Sequence, residues 1–339
     1  MFKRAWTITI AAPAAAGSVF LPVPAFAQTY ICTGTCPQVQ GSSSAEPRYG
    51  GANSLQFQAA SVGLDMFDIQ PEGPDRFLPE GDSDTIGGAF TYGKAGFQKV
   101  ERLDLHYQHA RRFREGSRAR LVFDLPVNIL HADKGTVIVR NPPTPDISFG
   151  FGGATNVAAT ASIGVELPAS SNFVITPRVS YGNSQAGGYF LFDAEVLGAS
   201  VSARYRLPKV GRGELVLGGL VGYSHEIKTF LSKQILPANE DFWTMRGGIA
   251  YQLPLKARMF GRQASIRASY VYTRETGVPF AMFEQVHEVG FNIGVRTREV
   301  AMKSRFEQLR FGVIYTHAVN AFTSKASYDS ATLTFGYRF

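Results

Sequence analysis

Cysteine is nearly absent from this chain: Cys32 and Cys36, both close to the N-terminus, are the only two. So small a set excludes a disulfide-stapled scaffold and a cysteine-rich metal domain. The pair reads as a small local disulfide made in an oxidising compartment. A metal site would need further ligands, and no histidine follows nearby. Long apolar runs are missing too. Beyond Gln28 no stretch is long and apolar enough to cross a bilayer as a helix, so the mature chain is either water-soluble or enters a membrane as strands. Charge of one sign does not dominate: the formal net charge is +7, of which Lys3 and Arg4 supply two. An excess of that size in an exported chain does not point to nucleic acid as a partner. A phosphate-cradling loop of the Walker type is also lacking; the Gly-rich stretch Gly150–Gly153 reads as an ordinary loop.

What is present begins with an export signature. Met1-Phe2-Lys3-Arg4 is a short basic start, residues 5–27 carry no charge, and Ala25-Phe26-Ala27 ends the stretch just before Gln28. Basic end, apolar middle and Ala-x-Ala site are the parts of a secretory signal peptide, assigned here to residues 1–27. Pro13, Pro22 and Pro24 interrupt the run, which suits cleavage better than spanning. Residues 28–84 are irregular, with Gly41-Ser42-Ser43-Ser44, Pro47, Pro71, Pro74 and Pro79. They read as an N-terminal extension on the periplasmic side, or as a segment that plugs the domain C-terminal to it.

From Thr85 onward the texture changes to period-two alternation, which sends neighbouring side chains to opposite faces of a strand. In the last segment Ala331, Leu333, Phe335, Tyr337 and Phe339 share one face, while Ser330, Thr332, Thr334, Gly336 and Arg338 share the other. The pattern recurs at Val201-Ala203-Tyr205-Leu207, Leu215-Leu217-Gly219-Val221-Tyr223, Ile266-Ala268-Tyr270-Tyr272, Val289-Phe291-Ile293-Val295 and Leu309-Phe311-Val313-Tyr315. Six weaker stripes bring the expectation to about twelve strands of roughly ten residues each, enough at ~3.3 Å per residue and a tilt near ~40° to span a band about 25 Å tall. Short connections at Pro168–Ser171 and Pro208–Gly213, and a somewhat longer one at Leu253–Arg262, alternate with long ones at Asn128–Asn156, His225–Phe242 and His317–Asp329. Pro177 lacks an N–H in mid-strand, so a bulge is expected there.

Hydrocarbon offers no partner for a backbone N–H or C=O, which leaves a closed barrel as the only sheet that can span a membrane. Aromatic placement supports that reading. Tyr181, Tyr223, Trp243, Tyr272 and Tyr315 fall near one end of the apolar stripes, and Phe173, Tyr205, Tyr251, Phe311, Tyr337 and Phe339 near the other. Two belts flanking an aliphatic band are what amphipathic rings favour at membrane–water boundaries. The predicted fold is therefore all-β: a transmembrane antiparallel up-and-down barrel over residues 85–339.

The ending Ala331-Thr332-Leu333-Thr334-Phe335-Gly336-Tyr337-Arg338-Phe339 resembles the closing strand of the outer-membrane β-barrel superfamily of Gram-negative bacteria. Phe173-Val174-Ile175-Thr176-Pro177-Arg178-Val179-Ser180-Tyr181 is similar to a strand common in such barrels, including the translocator domains of autotransporters. The likeness runs from about Thr85 to Phe339 and is generic. It implies an integral outer-membrane location, lipid and the barrel assembly machinery as partners, and Phe335, Tyr337 and Phe339 as the C-terminal assembly signal.

If the apolar stripes face lipid, the lumen receives Arg102, Arg118, Arg120, Arg178, Arg204, Arg206, Arg246, Arg267, Arg296, Arg310 and Arg338, opposed by fewer acids: Asp104, Asp124, Glu166, Glu214 and Glu288. Such a wall either favours anionic solutes or is an internal Arg–carboxylate network that braces the barrel; a planar, permanently charged guanidinium suits both. An enzyme is the rival class. A lipid-facing hydrolase strand would place Ser two residues after His, but the residues in that position are Gln108, Arg111, Asp133, Ile227, Val289 and Val319. His106 and His109, three apart, are expected on opposite faces of a strand and make no metal pair. No catalytic set, metal or cofactor is assigned. The expected function is a narrow passive channel for small solutes, anions by preference; the alternatives are an autotransporter-like translocator and a structural or adhesion barrel.

Overall fold

The computed structural model describes Gln38–Gln40 and residues 82–95, 98–114, 117–132, 135–140, 147–151, 154–187, 193–231, 234–236, 241–259, 262–276, 285–295, 308–319 and 327–338. The expected disulfide pair, Cys32 and Cys36, lies outside them, as do the signal peptide, Arg296 and Phe339. Twelve antiparallel strands carry the fold: β1 (Ser83–Ala95), β2 (Gln98–Arg112), β3 (Arg120–Ala132), β4 (Ala154–Pro168), β5 (Phe173–Gly187), β6 (Asp193–Val210), β7 (Gly213–Leu231), β8 (Asp241–Met259), β9 (Arg262–Thr276), β10 (Gln285–Val295), β11 (Gln308–Val319) and β12 (Ser327–Arg338). Each pairs with its sequence neighbour, and β12 pairs with β1 from Tyr328↔Ala95 to Arg338↔Thr85. The sheet is thus closed on itself and has no edge within the barrel.

Strand ends fall alternately at two rims: β2, β4, β6, β8 and β10 end at the rim that holds the C-terminal end of β12, and β1, β3, β5, β7, β9 and β11 end at the far rim. Gly211 (φ +62°) supplies the left-handed residue of the two-residue near-rim turn between β6 and β7. The long far-rim connection 133–153 contains a hairpin, Gly135–Arg140 with Ile147–Phe151, and Gln38–Gln40 pairs antiparallel with its first strand.

The strands run 11 to 19 residues, longer than the ten expected. Hydrophobic alternation marks only the part of a strand in the apolar band, whereas the hydrogen-bonded ladder continues past it into the rims. The expected connection Leu253–Arg262 is one such case: β8 continues to Met259 after an irregularity between Pro254 and Arg258. The bulge expected at Pro177 is not formed. Pairing of β4 with β5 skips from Gly164↔Arg178 to Leu167↔Ile175 and resumes in the same register, while Pro177↔Val201 pairs normally on the other side. A missing N–H opens a ladder locally without requiring an extra residue.

Exposure follows the pleat and is inverted relative to a water-soluble barrel. Leu333, Val179, Val289, Phe291 and Tyr315 are more than half exposed, whereas Arg310, Asp124, Asn292, Arg267 and Glu166 on the alternate face are buried. On β1, outward residues from Asp84 to Lys94 are Ile86, Gly88, Phe90 and Tyr92; on β12, Ala331, Leu333 and Phe335 follow Asp329. Ionisable outward side chains are thus held to the rims, and the ten-residue interval on β1 spans about 25 Å along the barrel axis at ~3.3 Å per residue and ~40° tilt. Rim aromatics are tied in place: Tyr107 donates to Asp84 at 2.7 Å, Tyr315 to Asp329 at 2.6 Å and Tyr251 to the Val210 carbonyl at 3.0 Å.

Candidate functional site

The candidate site is the barrel's inner wall. Because successive side chains alternate, every second residue of each strand points inward, and on β2 to β6 those positions hold charge. Arg120 on β3 and Glu166 on β4 are register partners, and the guanidinium grips one carboxylate oxygen through Nε at 2.6 Å and through Nη2. Arg204 on β6 takes the other oxygen of Glu166, reaching across β5. Arg120 also donates to Ser83 of β1 at 3.3 Å, across β2. Glu166 is therefore a hub between two arginines, all three side chains at least nine-tenths buried.

A second hub is Asp124. It accepts from Gln108 at 2.8 Å and Ser162 at 3.1 Å, and lies 3.3 Å from Arg178 Nε and 3.5 Å from His106 Nε2. Asp104 receives Arg102 at 2.8 Å and Asn128. On the other side of the barrel Arg246 of β8 reaches Glu288 of β10 at 2.7 Å, and Arg310 of β11 donates to Asn292 of β10 and, at 2.8 Å, to Ser265 of β9. Five of these contacts leap over one strand and six join neighbours, so together they act as hoops around the wall.

Of the arginines expected on this face, Arg102, Arg120, Arg178, Arg204, Arg206, Arg246, Arg267 and Arg310 stand there, and Arg206 pairs with Glu214. Arg118 does not: it is exposed in the connection before β3, which begins only at Arg120. The side chains of Arg296 and Arg338 are not among those described. His106 is buried inside and His109 faces outward onto Asp84 at 2.9 Å, on opposite sides of β2.

Four features were not foreseen. Glu275, buried and 3.4 Å from the Thr244 hydroxyl, joins the inward acids. Inward Val100, Leu130, Val286, Ala318 and Tyr328 cluster near the far rim, where a polar wall was expected. In β3 the inward face mixes apolar Val122 and Leu130 with Arg120, Asp124 and Asn128, so alternation blurs past Leu125. Finally, two inward glycines make room for arginines: a Cβ on Gly164 would come within 2.5 Å of Arg178 Cγ, and one on Gly294 within 2.4 Å of Arg310 Cγ. Glycine directly across the ladder from a buried arginine was the readable signal.

The expected assembly residues Phe335 and Tyr337 lie on the outward face of the closing seam. Phe335 is the register partner of Gly88, and its ring covers the glycine so closely that a Cβ there would meet Cε1 at 2.5 Å.

No protein-family model matches the chain, and no curated protein does. Solved structures do resemble it. The translocator domain of autotransporter NalP from Neisseria meningitidis is 13% identical, with 76% of this chain and 88% of that one covered at a TM-score of 0.52. The beta domain of the Bordetella autotransporter BrkA is 11% identical, with 77% and 99% covered at a TM-score of 0.50. Likeness at this level speaks for the fold. Joined to an apolar exterior and a charged interior, that fold has one placement in which every face meets its proper solvent. The chain therefore folds as a closed, membrane-type β-barrel, apolar outside and charged within, and shares that fold with the two autotransporter domains.

Proposed function

We propose that the protein is a narrow passive channel for small solutes that prefers anions. The observation that carries this reading is the charge of the inner wall: among the described residues, the eight inward arginines named above exceed the six carboxylates Asp104, Asp124, Glu166, Glu214, Glu275 and Glu288. The pairs brace the wall, and its net positive charge sets the sign of the field that a solute meets. Single-channel recording of the full-length protein in a planar bilayer tests it. Steady conductance with anion preference is expected, and Arg204→Ser with Arg206→Ser should lower the anion-to-cation permeability ratio. A silent barrel, or a ratio that the double replacement leaves unchanged, sinks the proposal.

A second reading, a translocator-like barrel that carries its own N-terminal segment, is favoured by one observation. Gln38–Gln40 pairs within the far-rim connection, whereas Ser83 starts β1 at the near rim, so these two parts of the chain stand at opposite ends of the barrel. Fully shielded inward side chains such as Leu130, Val196 and Ala318 fit an occupied lumen. Here the same recording separates the readings: a barrel closed at full length that conducts once residues 28–84 are deleted belongs to the second.

A further inference from the structure

The outward face is not uniformly convex. Across β3 to β7 it sinks into an open groove of about 820 Å³, within the size range of small-molecule sites. Its floor is Ala161 and Ala199, and its walls are Phe123, Tyr181, Leu197 and Tyr223. Register explains the shape. Ala161 is paired with Tyr181, and Ala199 with Tyr223, so each alanine leaves a dent beside a tall aromatic ring. One end of the groove is polar, because His225 lines it and is the register partner of Leu197. The far wall is stiffened where Tyr223 stacks at a 54° tilt on Trp243, ring centres 5.1 Å apart.

We propose that this groove is a lipid-binding site that holds an acyl chain from the membrane leaflet at the far rim. The groove is continuous with the outward apolar band, whose surroundings are hydrocarbon, so whatever fills it comes from within the membrane. An unfilled apolar hollow forfeits dispersion contacts on one side, and a fluid annular chain recovers them only by lying still in it. Among the described residues no Lys or Arg lines the groove, so the acyl chain is read by shape. A second copy of the protein fits less well: two concave faces set together about a two-fold axis leave a void between them.

The test is retention of lipid by the full-length barrel purified in detergent, read by native mass spectrometry. One lipid per barrel is expected to survive exchange into a short-chain detergent. Ala161→Phe with Ala199→Phe, which fills the floor, should cut that retention by about tenfold. Heat-dependent mobility on SDS gels confirms that each variant is closed; if the double variant does not close, Ala199→Leu alone is read in its place and should also lower retention. Wild-type protein that keeps no lipid overturns the proposal, as does equal retention in the filled variant. So does a dimer that the same replacements dissociate, which would assign the groove to a second copy.

Discussion

Glu166 accepts on both oxygens, from Arg120 on one side and Arg204 on the other, in a setting where all three are shielded from water. Removing the carboxylate would leave two buried guanidinium groups facing a neutral amide. Replacement of one member of a buried ion pair costs about 3 kcal/mol or more, because the remaining charge stays desolvated and uncompensated. Glu166→Gln should therefore destabilise the barrel by about that amount in urea titrations in phospholipid vesicles, followed by Trp243 fluorescence. Adding Arg204→Gln should recover part of the loss; a single variant as stable as the parent would show that the hub carries little. At this scale the sequence announced the arginines and most of their acids through the phase of each strand, since an arginine among outward valines has only one other face to occupy. It could not announce who meets whom. Arg204 and Glu166 are joined across an intervening strand, and that reach is set by the curvature of a closed wall, which strand-by-strand alternation does not encode.

Strands were legible wherever one face was apolar and the other was not, as in β12, and hardest to bound where the pattern stopped before the ladder did, as in β8. Pro177 shows the same gap between pattern and pairing. The residue was expected to force a bulge, yet the ladder to β4 simply goes unpaired around it and continues in register. If that is so, the lost pairing is local and recoverable. Pro177→Val, at an outward position where a β-branched side chain suits both strand and lipid, should restore an N–H to the β4–β5 ladder. A net backbone hydrogen bond contributes about 1 kcal/mol, so the urea midpoint of this variant should rise accordingly. A fall in stability would mean that the opening at Pro177 is needed by the wall, for instance to seat Arg178 opposite Gly164.

For the molecule as a whole, everything depends on which solvent touches the outward face, and one position discriminates between the two candidates. Leu333 is 63% exposed and sits midway along β12, paired with Phe90 and Val313 at the middle of their own strands. In a water-soluble barrel an arginine at so exposed a site would change stability by less than about 0.5 kcal/mol. In a membrane it would lie near the midplane, too far from either rim to reach head groups, and should cost about 2–4 kcal/mol. The natural sequence behaves as though the second case holds, since Lys94, Lys99, Glu101 and Asp329 all crowd into adjoining rows at the far rim while the band below them on β1, β2 and β12 is uncharged. Arginine introduced at Glu101 should accordingly cost only about 0–1 kcal/mol. The pair of variants, unfolded side by side in vesicles of one composition, measures the depth profile directly: a large loss at Leu333 and a small one at Glu101 fixes the apolar band between the rims, and equal, negligible losses at both would place water on the outside.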